Sequence, residues 1–321
     1  MVRTHDGNRP LPPARPDEPA LTELHEVTLA PVRSPQGPWG KHFLGAFDRN
    51  GQFLEGFAHP WCGIDAMPAA PIASYPGTAI YGGLAMHHVG HFLLEGLSRL
   101  WCLKNYPELP ILWHWIDLPI PHPDDRGWQK ELIGLLGLAQ RRHIFLRQPL
   151  RVERLLLPSP GFLSGQFLHP LQAAALGCVT GPAAIPGKRV WLSRSALPNQ
   201  FGRVVGEDQV EALLSAQGWT ILHPERESMR RSAEIFHEAE VVSGFIGSAF
   251  HPLLLHAAPQ ARLRPVIRPG ISPDDYRIAA EAKGLDFAAI ETPMTALDQR
   301  ASWTNFRLHK PADLVTILAE S

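Results

Sequence analysis

The sequence predicts an α/β protein of two lobes, and three observations carry that expectation. Through its second half, short apolar runs alternate with helical patterns at close intervals, the sign of a parallel sheet covered on both faces. The chain has 321 residues, against roughly 150 for an ordinary domain. A stretch rich in proline and glycine near 160–185 interrupts the pattern and marks the boundary between the lobes.

Residues 1–23 are crowded with proline and charge and read as an extended, poorly ordered arm. Strands are expected at 28–32, 43–47 and 78–81. A long helix is expected over 85–105, where Leu93, Leu94, Leu97, Leu100 and Trp101 recur at helical spacing. A strand at 111–116 leads into the prolines of 119–123, followed by a helix at 129–138 and strands at 143–146 and 154–157. Leu157-Pro158-Ser159-Pro160-Gly161 is a strong breaker, and 177–187 is weakly structured. The second half is more regular. Strands at 189–193, 219–222, 240–245 and 263–267 alternate with helices at 208–217, 229–239 and 247–256, and Gly218 closes the first of these helices. The expected organisation is an arm (1–23), an N-terminal α/β lobe (24–170) and a C-terminal α/β lobe (171–321), with ligand in the cleft between the lobes.

Lys and Arg total 30 and Asp and Glu total 31, a balance that argues against a nucleic-acid binder relying on a strongly basic domain. Proline (32) and histidine (16) are both in excess. The prolines cluster between elements, and the histidines direct attention to chemistry. Cys62, Cys102 and Cys178 are far apart and odd in number, the pattern of free thiols in a reducing compartment. Nothing near the N-terminus resembles a signal peptide, and no stretch offers the ~20 clean apolar residues of a membrane helix. The nearest, 241–258, is interrupted by Ser243, Gly244, Gly247, Ser248, His251, Pro252 and His256. A cytoplasmic protein is the expectation.

The sharpest local signal lies on the first long helix. His87, His91, Glu95 and Arg99 are each four apart and form one helical stripe. His91 and Glu95 at that spacing can share a hydrogen bond, the arrangement that tunes a general base. Arg99 can hold Glu95 ionised or meet a phosphate. Two other readings stand beside this one. The stripe can be a solvated face with ordinary pairs, or His87, His91 and Glu95 can be metal ligands, although the spacing is not that of zinc proteases.

A second signal is the run from Val241 to His251, an apolar strand, a glycine turn at Gly247 and a helix start at Ser248. Such a turn presents backbone N–H groups and a positive helix end to an anion, though many helices begin with Gly-Ser simply for capping. Ser193 and Arg194 end the preceding strand, followed by Arg203 and Glu207, and His223-Pro224-Glu225 ends the next. The ends of parallel strands are where α/β proteins place ligand contacts.

Three segments together resemble glycosyltransferase family 61, the group that includes bacterial capsular-polysaccharide transferases. The first runs from Gly90 to Leu100 and carries His91, Glu95 and Arg99. The second is Trp191-Leu192-Ser193-Arg194 with Arg203, Glu207, Gly218 and Pro224-Glu225. The third is Glu234 to Ala239 running into Val242 to His251. Ile246 stands where many members carry histidine, and His251 where asparagine is common. The resemblance implies a GT-B architecture of two Rossmann-like lobes facing across a cleft. It also implies a nucleotide-sugar donor held mainly by the C-terminal lobe, with a UDP-sugar expected, and inverting transfer without a metal or other cofactor. A glycan or small hydroxyl compound is the expected acceptor, in surface polysaccharide biosynthesis; no nucleic-acid partner is expected, and peripheral membrane association stays open.

On this reading the donor phosphates meet Arg194, Arg203, Glu225, Gly247, Ser248, Ala249 and His251. Glu95 serves as base with His91 as its orienter, narrowly preferred over the reverse, and His87, Arg99, Ser193 and Glu207 support them. Asp124-Asp125 and Asp274-Asp275 read as turn residues and not as a metal motif. The rivals are a nucleotide-sugar-binding protein that has lost catalysis and a metal-dependent hydrolase using the histidine stripe.

Overall fold

The computed structural model describes residues 19–37, 40–69, 72–86, 88–116, 127–198, 201–298 and 304–320. The first eighteen residues of the expected arm, the prolines of 119–123, Asp124-Asp125 and His87 lie outside the described residues. The chain forms two compact units. One takes the described part of 1–126 with Gly137–Leu163, and the other takes Gly127–Leu136 with the described part of 164–321. The break thus falls just before the 170/171 boundary expected from sequence, and the helix expected at 129–138 belongs to the second unit.

The first unit is built on seven strands. These are β1 (Leu21–Arg33), β2 (His42–Phe47), β3 (Cys62–Ile64), β4 (Ala73–Ala85), β5 (Ile111–Trp115), β6 (His143–Phe145) and β7 (Leu150–Pro158). Their order is β3-β2-β1-β7-β4-β5-β6. β1 runs antiparallel to β2 and β7, and every other neighbouring pair is parallel. The Rossmann-like lobe that the resemblance implies for this half is therefore corrected to one built on a mixed sheet. The reason is local: the link from β1 to β2 is too short for the helical crossover that a parallel pair requires. β1 also claims residues 21–23 from the expected arm. Its outer half is exposed and carries no alternation to betray it, and only Val27 to Ala30 face the core. That core joins Leu29, Leu44, Tyr81, Leu112, Val152 and Leu155.

The long helix expected over 85–105 is not continuous. β4 runs on to Ala85, and the chain then makes one α-turn, α1 (Val89–His91), followed by a π-helical turn over Phe92–Gly96 and then α2 (Leu100–Leu103). A π-turn inserts a residue into the helical ladder and is often found at functional sites. Here β4 presses against it. At Gly83 the backbone is left-handed (φ +130°), and a Cβ there would sit 2.6 Å from the Gly96 carbonyl oxygen.

The second unit carries a four-stranded, fully parallel sheet of β8 (Arg189–Leu192), β9 (Thr220–Leu222), β10 (Val241–Phe245) and β11 (Arg262–Val266), in the order β9-β8-β10-β11. Each strand lies within two residues of its expected position. Its helices are α3 (Gly127–Leu135), α4 (Pro170–Leu176), α5 (Glu207–Ala216), α6 (Met229–Glu238), α7 (Asp274–Ala282) and α8 (Pro311–Ala319). The helix expected at 247–256 is a 3-10 helix over Ser248–Leu255, with Pro252 inside it. Proline has no N–H to give an α-helical ladder. α3 joins this unit by a tertiary cap, because the Glu131 carboxylate accepts the N–H groups of Met229 (2.9 Å) and Arg230 (3.1 Å) that open α6. Short strands at Val204–Val205, Met294–Ala296 and Phe306–Leu308 form a small extra sheet. Among the described residues, no helix is long and apolar enough to cross a membrane.

Gly83→Ala should lower stability by about 3 kcal/mol, since it adds both left-handed strain and a backbone clash. Gly51 is also left-handed but faces open space, so Gly51→Ala should cost about 1 kcal/mol. Urea unfolding of the two variants checks this, and equal losses would show that the approach to Gly96 is not a constraint.

Candidate functional site

Each unit carries its own group of chemically competent residues. In the first, the π-turn places Glu95 beneath His91. The His91 Nδ1 lies 3.3 and 3.2 Å from the two carboxylate oxygens of Glu95, and the indole N–H of Trp61 donates to Oε1 at 3.3 Å. The Trp61 ring also meets the His91 ring edge-on, with centroids 5.2 Å apart. The Glu95 side chain is 7% exposed and that of His91 39%. His88 caps α1 and its ring lies 4.8 Å from that of His91.

Arg99 leaves the stripe. The turn at Leu97 and the non-helical backbone of Arg99 rotate its side chain inward. The guanidinium donates to the carbonyls of Pro158 and Gly56 (2.9 Å to the latter) and lies over the Tyr81 ring at 5.1 Å. The expectation that Arg99 holds Glu95 or meets a phosphate is therefore corrected. Its job is to tie the end of β7 to the π-turn, helped by Gly161 N–H to Ser98 O (2.6 Å) and Trp101 indole to Ser159 O (2.9 Å). Burial pushes its pKa down to about 10. His114 is structural as well. Its Nε2 faces the Ala30 carbonyl (2.9 Å), which can only accept, so Nε2 carries the proton and Nδ1 accepts from the Tyr81 hydroxyl (2.7 Å). Burial pushes that imidazole down to about 4.

In the second unit, the strand order reverses direction between β8 and β10. The carboxyl ends of strands at such a switch point are the general ligand site of open parallel sheets. Arg194 follows β8 and Gly247 follows β10. Arg194 donates through its side chain to the carbonyls of Phe201 (2.6 Å) and Gly202 (3.3 Å). Its Nη1 comes so near Gly247 that a Cβ there would lie 2.6 Å away. Ser248 and Ala249 open the 3-10 helix ahead of its first backbone bond, from Phe250 N–H to Gly247 O at 3.1 Å. His251, in the same helix, stacks on Tyr276 of α7 with centroids 4.8 Å apart.

Glu207, at the start of α5, is buried and accepts the Arg194 backbone N–H (2.9 Å) and the Trp191 indole (3.3 Å). Desolvation raises its carboxyl to about 7, against the lowering effect of those bonds and of the Arg194 charge. Glu225 lies within electrostatic reach of Arg194, whose own pKa is lowered chiefly by burial. Ser193 spends its hydroxyl on Glu211 (2.5 Å) and Ser195 (3.0 Å). Arg203 is exposed, and its backbone N–H is held by Asn305 at 2.8 Å. So Arg194, Glu207, Glu225, Gly247, Ser248, Ala249 and His251 gather at one end of the sheet, and the Arg203 side chain has no partner among the described residues.

Sequence reasoning missed Trp61, Arg268 and Tyr276. Arg268 was within reach of the strand-end rule, since it lies just beyond β11. Nothing in the sequence links Trp61 to Glu95, because they meet only through folding. Among the described residues, no three His, Cys, Asp or Glu side chains are grouped to hold a metal ion.

A family model described as Glycosyltransferase 61 matches residues 89–263, more than half of the chain. The chain belongs to that family and is a glycosyltransferase, with a donor and an acceptor as its substrates. No curated protein matched the chain.

Glu207→Gln keeps an acceptor for Arg194 and Trp191 but cannot ionise. The wild-type carboxyl titrates near 7 when folded and near 4.5 when unfolded, so wild-type stability should fall as pH rises from about 4.5 to 7. Over that window the stability of Glu207→Gln relative to wild type should climb, then level off above pH 7. Urea midpoints measured across the range test this, and a constant difference would refute it.

Proposed function

We infer that this protein is an inverting, metal-independent glycosyltransferase of the GT-B type that moves a sugar from a nucleotide-sugar donor, a UDP-sugar, to a hydroxyl acceptor. The observation that carries the reading is the pairing of His91 with Glu95. A buried carboxylate that accepts from Nδ1 holds an imidazole in one tautomer and leaves Nε2 as the basic atom. This is the reverse of the assignment preferred from sequence, and the relative exposure of the two side chains supports it. His91 takes the acceptor proton, Glu95 stabilises the imidazolium that forms, and Trp61 holds Glu95 in place.

The second unit supplies the donor end. Its Rossmann-like parallel sheet supports the GT-B assignment. Arg194 and the N–H groups at Ser248 and Ala249 receive the diphosphate and stabilise the charge that develops on it as the glycosidic bond to the leaving group breaks. His251, Glu225 and Tyr276 shape the surroundings. Positioned guanidinium groups and backbone dipoles supply the charge stabilisation that a bound cation supplies elsewhere. The setting we infer is surface polysaccharide synthesis in the cytoplasm, in line with the capsular members of the family.

Glu95→Gln and His91→Ala should each lower kcat by about 10²–10⁴-fold while a nucleotide sugar still raises the melting temperature. Turnover is measured against a panel of nucleotide sugars with and without EDTA, and NMR of the product reads its anomeric configuration. Wild-type rates in both variants would remove the base assignment. Retained configuration or EDTA-sensitive transfer would remove the mechanism.

A further inference from the structure

We propose that Arg268 is a second anion-holding residue, which makes the switch-point site of the second unit a two-guanidinium clamp for a diphosphate group. This rests on the reading of that unit as the donor-binding one. Arg268 lies beyond the segment that the family model matches, which ends at Leu263.

The argument is one of buried charge. Arg268 is 5% exposed and Arg194 8%. Arg268 donates Nε to the Ile246 carbonyl at 2.9 Å, and its Nη1 is buried without a hydrogen-bond partner. The Nε of Arg194 is in the same condition. A guanidinium offers five donors and cannot shed its charge in a protein. Leaving such donors dry is costly, more so for a charged group than a neutral one. The two guanidinium groups also lie close enough to repel each other.

The groups facing the pair do not cancel it. Glu207 attracts both, but hydrogen-bonds neither guanidinium: its Oε1 accepts the Arg194 backbone N–H and the Trp191 indole, and its Oε2 is buried without a hydrogen-bond partner. Glu225 reaches Arg194, and the Tyr276 phenol faces both. What remains is two cations, each with an unmet N–H, at the turn where Gly247 admits close approach. An anion with two adjacent charged centres meets both. Ile246 is central to this arrangement, since its carbonyl anchors Arg268 and aims it at the turn. Planar guanidinium forks match phosphate oxygens in a way that a lysine ammonium does not.

The test uses the full chain and calorimetric titration with inorganic pyrophosphate and with UDP. Wild type should bind both, and Arg268→Gln should weaken both by about 10–100-fold, a loss typical of one buried charge-assisted contact. Arg194→Gln should weaken them similarly. Far-UV circular dichroism and the ligand-free melting temperature report whether each variant is folded. If Arg268→Gln does not fold, Arg268→Lys decides, with an expected loss of about 3–10-fold. Binding unchanged in the folded Arg268 variant, while Arg194→Gln weakens it, overturns the role of Arg268 alone. No binding by wild type overturns both that role and the donor-site reading.

Discussion

One buried carboxylate organises the working end of the second unit. Glu207 opens α5 and reaches back to the backbone N–H of Arg194, two residues beyond β8, and to the indole of Trp191 within the sheet. The bond decides where the chain leaves the sheet, and so where the Arg194 guanidinium arrives. Burying a carboxylate is unfavourable, as its raised pKa records. The cost is offset by the positive end of α5 and by the nearby guanidinium charges. In effect, a strained electrostatic arrangement is tolerated because it fixes geometry at the switch point.

The first unit solves a similar problem with backbone contact instead of charge. Gly83 lets the end of β4 lie directly against Gly96, and the π-turn between Phe92 and Gly96 presents Glu95 beneath His91. Arg99 then ties the far end of β7 to this same turn. The carboxylate–imidazole pair therefore stands on backbone that is held from two sides. Preorganisation of this kind is what a general base needs, because its proton must be taken at one geometry.

The two units thus divide the chemistry by physical type. One holds a buried carboxylate against an imidazole, and the other gathers buried guanidinium groups beside a strand-end turn. The histidine excess resolves along the same line. His91 pairs with the Glu95 carboxylate, whereas His114 is a buried strut whose neutral ring bridges Ala30 and Tyr81. Neither role follows from the number of histidines, only from what surrounds each ring.

The sequence by itself determined the parallel sheet of the second unit, because fully buried strands read as continuous apolar runs and their helices carry clear periodicity. It also determined the spacing of His91 and Glu95 and the place of Arg194 and Gly247 at strand ends. Tertiary structure decided the rest. The place of β1 inside the sheet depends on pairing with β7, more than a hundred residues away. The break in the first helix comes where its π-turn lies against β4 at Gly83, a contact that no local propensity encodes. Arg99 turned inward because that break removed it from the stripe. Trp61 and Arg268 joined their sites through contacts distant in sequence, and the balance between a buried charge and its partners exists only once the chain has folded.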